Sequence, residues 1–184
     1  MNALLRGFFD LLLPPICADC GQAIPPGRSL CVICDRALPR FEGEAPPLLP
    51  DSIECATAAS YEGAVSDWVR RFKYPKRGFG GLDAAAQCVL RAWILEAAEH
   101  AVGVRPDLVI PVALHPRRLR ARGFNPAALL SAALSRDKGL RHAPAALRRI
   151  RDTPSQTGLD RRARRRNVSG AFRATRDHSG AEHI

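Results

Sequence analysis

The sequence predicts an α/β protein with a small metal-bound ribbon near its N-terminal end. Three stretches carry that expectation. Two C-x-x-C pairs, Cys17/Cys20 and Cys31/Cys34, are separated by ten residues. The apolar run Leu108-Val109-Ile110 ends at Pro111, and an arginine-dense loop then leads to a helical pattern beginning at Asn125-Pro126. A second run, from Ala145 to Ile150, opens into another arginine-dense stretch.

Two cysteines two residues apart can reach one ion from a tight turn, and Gly21 lets the backbone fold back after the first pair. The ten intervening residues suffice for a short hairpin with Pro25-Pro26-Gly27 at its tip. Tetrahedral Zn²⁺ on the thiolates of Cys17, Cys20, Cys31 and Cys34 is the expected occupant, in a closed structural site. Asp19 and Asp35 only flank the knuckles. Incidental or redox-active cysteines are the alternative. So small a segment buries little core, so the metal is expected to supply its folding energy.

The totals bound the rest. A chain of 184 residues holds one ordinary domain plus a small appendage, and 46% hydrophobic residues exclude bulk disorder. The net charge of +10 suggests phosphates or polyanions as partners. Only Lys73, Lys76 and Lys138 are lysines, so the arginine count can equally record genome base composition. The opening MNALLRGFFDLLLPP is too short to span a bilayer and is interrupted by Arg6 and Asp10. It offers no small-residue cleavage site. It reads as an amphipathic helix docked on a soluble, cytoplasmic protein without a membrane span.

Residues 39 to 52, rich in proline and acid, read as a linker. The stretch ECATAASYEG then reads as a strand ending at Gly63. Val65, Trp68, Val69 and Phe72 recur at helical spacing, and Pro75 stops that helix. A longer helix from about Leu82 presents Leu82, Ala86, Val89, Trp93, Ile94 and Ala97 on one stripe. Cys55 and Cys88 read as buried apolar fillers rather than ligands.

Asp107 to Asn125 is the organising unit. It reads as a buried strand, a cationic loop (Arg117, Arg118, Arg120, Arg122) and a helix start, with Asn125 as N-cap and Pro126 at the first helical position. In open α/β sheets, ligands sit at the carboxyl ends of strands beside helix N-termini, so a phosphate-bearing small molecule suits this place. The plain alternative is a βα connection whose arginines face water. In the following helix Leu129, Leu130, Ala132, Ala133 and Leu134 form the apolar face, and Lys138-Gly139 ends it. The second cationic loop, RDTPSQTGLDRRARRRNVSGAF, places five arginines between Asp160 and Asn167, and Val168 to Ala174 reads as a returning strand.

LLLPPICADCG, YEG, FKYPKRG, PVALHPRRLRARGFN and TPSQTGLDRRARRRNVSGAF stand in an order that resembles the ComF (competence protein F) family from end to end. Family members often carry further cysteine pairs before the strand, where this chain keeps only Cys55, so a single zinc is expected. The resemblance implies a ribbon and N-terminal helix over 1–44, then a type I phosphoribosyltransferase-like domain over 53–184, a parallel sheet with helices. It also implies phosphoribosyl pyrophosphate, or another phosphate ligand, held with Mg²⁺. His115, Arg117, Arg122, Gly123 and Asn125 would bind substrate in the pyrophosphate loop. Thr153, Gln156, Arg164 and Asn167 would act catalytically in a mobile flap. Guanidinium groups and Mg²⁺ would stabilise the departing pyrophosphate, and a closed flap would keep water from the sugar cation.

The family's fold would continue with a strand ending in two adjacent acids and a threonine- and glycine-rich loop for the 5′-phosphate. No two Asp or Glu residues adjoin in this sequence, and Thr157-Gly158 lies in the flap. The sheet is therefore expected to lack its C-terminal strands, and the chain to be catalytically incomplete as a transferase of nucleoside metabolism. The resemblance further implies a link to competence and DNA uptake, with single-stranded DNA and DNA-uptake proteins as partners. A zinc-ribbon accessory protein that binds nucleic acid without catalysis is the alternative function. Few aromatic residues interleave with the basic runs, so base readout is not expected.

Overall fold

In the computed structural model, 15–26 and 28–38 form a knuckle closed by a short bridge and a one-turn helix, and Gly27 at the expected hairpin tip lies outside the described residues. Ile16 bridges Ala23 antiparallel, and Gly21, at φ +73°, lets the chain reverse after Cys20. Helix α1 (Val32–Arg36) starts behind Cys31, whose sulfur accepts from the N–H of Cys34. The described residues are 15–26, 28–38, 55–75, 84–100 and 106–175. The expected first helix and the linker over 39–52 lie outside them. The chain divides into two compact units, Met1–Val102 and Gly103–Ile184.

In the first unit, helix α2 (Gly63–Lys73) packs against helix α3 (Ala84–His100). Val65, Trp68 and Phe72 are buried from α2, and Ala86, Val89, Leu90, Trp93 and Ala97 from α3. The rings of Trp68 and Trp93 meet at 5.5 Å and an angle of 55°, a tilted arrangement suited to the aromatic quadrupole. The helical stripes read from the sequence thus supply the interface, with Val69 and Ile94 half-buried, while Leu82 lies outside the described residues. Two expectations fail in this unit. Residues 55–60 are irregular chain with one bridge residue, Ala59, instead of a strand, since alanines offer little side chain to pack on a pleated surface. Cys55 and Cys88 are exposed, not buried: Cys88 lies outside the buried stripe that Val89 and Trp93 occupy.

The second unit opens with strand β1 (Leu108–Val109), followed by helices α4 (Pro116–Arg122) and α5 (Pro126–Lys138) and strand β2 (Arg141–His142). Leu108 pairs with Arg141 and Val109 with His142 in parallel register, and α5 packs on both strands. Parallel neighbours require such a crossover. β1 is half-buried, with Ile110 beyond it exposed, so it is not the fully buried strand expected. The Asn125 cap, Pro126 start and Gly139 stop of α5 are as read from the sequence. Its most buried positions are Pro126, Ser131, Ala133 and Ser135, while the leucines are half-buried. Small side chains let the helix approach the strands, and Ser131 Oγ meets His142 Nε2 at 2.9 Å.

Strand β3 (Leu147–Arg149) and strand β4 (Phe172–Ala174) form a separate antiparallel pair, with Arg149 opposite Phe172. Between them runs the second basic segment, which ends in helix α6 (Arg161–Val168). The architecture is mixed α/β with a small parallel sheet and an N-terminal cysteine cluster. Both arginine-rich stretches read as loops contain helices. His115 and Asp160 supply the side-chain N-caps that allow this, to the N–H groups of Arg117 and Ala163. Val168 therefore ends a helix, and the returning strand starts only at Phe172.

Candidate functional site

The sulfur atoms of Cys17, Cys20, Cys31 and Cys34 all lie within 4.8 Å of one another, with Cys20 and Cys31 at 3.8 Å. Cys17 is buried, and its sulfur accepts from the N–H of Cys31 at 3.3 Å. Burial pushes the Cys17 thiol up, but backbone donors from Cys31, Cys20 and Asp19 outweigh it and pull the pKa down to about 6. The neighbouring sulfur of Cys31, burial and Cys20 push Cys34 well up. Cys20 also rises, against the lowering N–H of Gln22, because burial and Cys17 act on it. One readily formed thiolate beside thiols that resist ionising is what a bound cation would relieve. Among the described residues this is the group of side chains that could hold a metal ion.

The second constellation lies in the Gly103–Ile184 unit. It centres on Asp152 and Thr153, at the start of the segment that follows β3. Asp152 accepts from Arg117 Nη1 at 3.3 Å and lies 3.6 Å from Arg118 Nε. His115 Nδ1 is 3.8 Å from the same carboxylate, but that nitrogen already accepts from the N–H of Arg117. The imidazole therefore caps α4 rather than bonding to Asp152. Thr153, only 2% exposed, is held twice. Arg118 donates to its carbonyl, and Arg149 donates to its hydroxyl.

Arg149 sits 5.3 Å over the ring of Phe172, and its Nε is buried without a hydrogen-bond partner among the described residues. Burial lowers its pKa and the Arg118 guanidinium lowers it further, while Asp152 works in the opposite sense. Arg117 and Arg118 thus face one carboxylate, with Arg149 beside them on Thr153, so these groups carry excess positive charge.

Of the other sequence candidates, Asn125, Gly123 and Asn167 brace the elements that carry this cluster. Asn125 accepts from the N–H of Ala127 at 3.1 Å and donates to the carbonyl of Val112 at 3.0 Å, tying the start of α5 to the end of the β1 run. Gly123, at φ +86°, ends α4 and turns the chain into α5. Asn167 reaches back from α6 to donate to the carbonyl of Pro154 at 3.1 Å, and the carbonyl of Gln156 accepts from Leu159. Arg164 is exposed on α6, and Arg122 lies in the last turn of α4. Of the candidates, His115, Arg117 and Thr153 meet at the cluster. Asp152, Arg118 and Arg149 belong to it as well, although sequence reasoning does not single them out as site residues. Arg118 is visible there only as one arginine of a run, and Arg149 only as part of a strand.

Among the described residues no helix is long and apolar enough to cross a membrane. No family model matches the chain. No solved structure matches it either. It is similar to the DNA utilization protein YhgH of Escherichia coli, at 32% identity over 166 residues, 86% of this chain and 70% of that protein. The Shigella flexneri protein of the same name is 31% identical over the same shares. Competence protein F of Haemophilus influenzae is 26% identical over 86% of this chain and 63% of its own length. With its cysteine cluster and this extent of similarity, the chain belongs to the ComF (competence protein F) family.

Proposed function

We propose that this chain is a phosphoribosyltransferase-type ComF protein whose second unit grips the diphosphate of phosphoribosyl pyrophosphate, in a competence or DNA-utilization role in the cytoplasm. The observation that carries the reading is the meeting of the two basic segments at Asp152 and Thr153. Arg117 and Arg118 come to it from one sequence motif and Thr153 from the other. Excess guanidinium charge, partly withdrawn from water, favours a multiply charged phosphate. Arg122, Gly123 and Asn125 would line the pyrophosphate loop, with Thr153, Gln156, Arg164 and Asn167 in the catalytic segment opposite. Mg²⁺ would arrive with the phosphate oxygens of the ligand and neutralise part of their charge. Zn²⁺ would be held by Cys17, Cys20, Cys31 and Cys34, whose spacing and sulfur separations suit tetrahedral coordination, and would serve structure rather than chemistry. Calorimetric titration with phosphoribosyl pyrophosphate and Mg²⁺ tests the ligand. Saturable heat supports the reading, and its absence removes it.

A second reading has its own observation. Arg161, Arg162, Arg164, Arg165 and Arg166 are all exposed on α6, a cationic surface suited to the backbone of single-stranded DNA. In that reading the chain is a zinc-ribbon accessory protein without catalysis. The names of the relatives, DNA utilization protein and competence protein, agree with either reading.

A further inference from the structure

We infer that Asp152 is a built-in competitor of the anionic ligand, its carboxylate occupying the guanidinium cradle that the diphosphate would take. This rests on the diphosphate reading above. Asp152 bonds to Arg117 at 3.3 Å and lies 3.6 Å from Arg118 Nε, two cations of the first basic segment. It does so from the segment that contains Thr153 and Gln156, thirty-five residues away from Arg117. Its side chain is 29% exposed and that of Arg117 is 79% exposed, so water and a soluble anion can reach both. A carboxylate and a phosphate oxygen make the same bonds to a guanidinium fork, so the two compete for it.

Displacing Asp152 would have two consequences. The cradle would exchange one negative charge for several, leaving Arg149, whose charge burial and the nearby Arg118 disfavour, better compensated. The segment from Arg151 onward would also lose one of its ties to α4, the one through Arg117, and keep the bond from Arg118 to the Thr153 carbonyl. Ligand entry and loosening of the segment are thereby coupled. The opposite role for Asp152 is a positioning residue, which aligns the arginines for the ligand and stays in place.

The sign of one substitution separates the two roles. In the full chain, Asp152→Asn keeps the shape and removes the charge. Calorimetry with inorganic pyrophosphate should show binding tighter by about fivefold or more, the order expected for removing one nearby charge facing a polyanion in water. Unchanged or weaker binding in a folded Asp152→Asn protein overturns the inference while leaving the diphosphate reading intact. Absence of pyrophosphate binding in both proteins overturns the diphosphate reading, and the inference with it. Should the variant fail to fold, trypsin cleavage of the wild-type chain after Arg151 separates the two roles instead. Pyrophosphate at saturation should speed that cut, and an unchanged or slower cut would contradict displacement.

Discussion

Arg149 and Thr153 are joined by a guanidinium-to-hydroxyl hydrogen bond that fixes where the second basic segment leaves strand β3. The bond is nearly sealed from water, because Thr153 is 2% exposed and Arg149 Nε is buried, without a partner among the described residues. A guanidinium already short of one partner tolerates the loss of another poorly. Thr153→Val, which preserves volume, should therefore destabilise the second unit by about 1–3 kcal/mol, whereas Thr153→Ser should cost less than about 1 kcal/mol. Urea denaturation of both variants measures the difference. Equal stability of Thr153→Val and wild type would show that the hydroxyl does not hold the guanidinium.

Asn125 has two separable duties. Its oxygen caps α5 and its amide nitrogen donates to Val112. Asn125→Ala should cost about 1–2 kcal/mol through the lost cap. Asn125→Asp keeps the cap oxygen and removes only the donor, so most of that stability should return. Thermal unfolding of both variants distinguishes the duties, and equal losses would assign the whole effect to the Val112 bond.

The cysteine cluster predicts one zinc per chain, released by a strong chelator with loss of ribbon stability. Each single Cys→Ser change among Cys17, Cys20, Cys31 and Cys34 should abolish tight retention, measured by metal analysis after gel filtration. Where the metal-free ribbon is folded, the Cys17 pKa is about 6, below its ordinary value of 9.0. A depressed acid stabilises the fold fully above its unfolded pKa, and that stability is lost as pH falls through the folded value. The metal-free ribbon should accordingly weaken between pH 9.0 and about 6, with one thiolate absorbance step near the lower limit. Persistence of that step in Cys17→Ser would show that another thiol carries it.

The surface of α6 separates the two functional readings. Replacing Arg162, Arg165 and Arg166 together by Gln should reduce single-stranded DNA binding and flatten its salt dependence by about two to three units of logarithmic slope. Filter binding across a salt series reads this. An unchanged slope would show that the DNA backbone, if bound, is bound elsewhere.

Much of this arrangement is legible in the residues themselves. The C-x-x-C spacing indicates the sulfur cluster, and the Trp68 and Trp93 stripes indicate the helix pair, because local spacing decides which side chains share a place. Asn125-Pro126 marks a helix start from cap chemistry alone. The helical course of Arg117–Arg122 and Arg161–Val168 is not legible, since runs of arginine suit a solvated loop as well as a helix and only the caps at His115 and Asp160 decide between them. The exposure of Cys88 and the burial of Ser131 and Ser135 depend on which neighbour a helix meets, a tertiary fact with no local signature. The Asp152 and Arg149 contacts are hidden for the same reason, as they include partners far apart in the chain.

Joint action of the two basic segments on a diphosphate underlies the proposed function. Calorimetry with phosphoribosyl pyrophosphate and Mg²⁺ on wild type, Arg117→Ala and Arg164→Ala tests it head-on, because both arginines are exposed and their removal spares the core. One saturable site is expected in wild type, with affinity lowered by about tenfold or more in each variant. Equal affinity in all three proteins, or no heat in wild type, would contradict it.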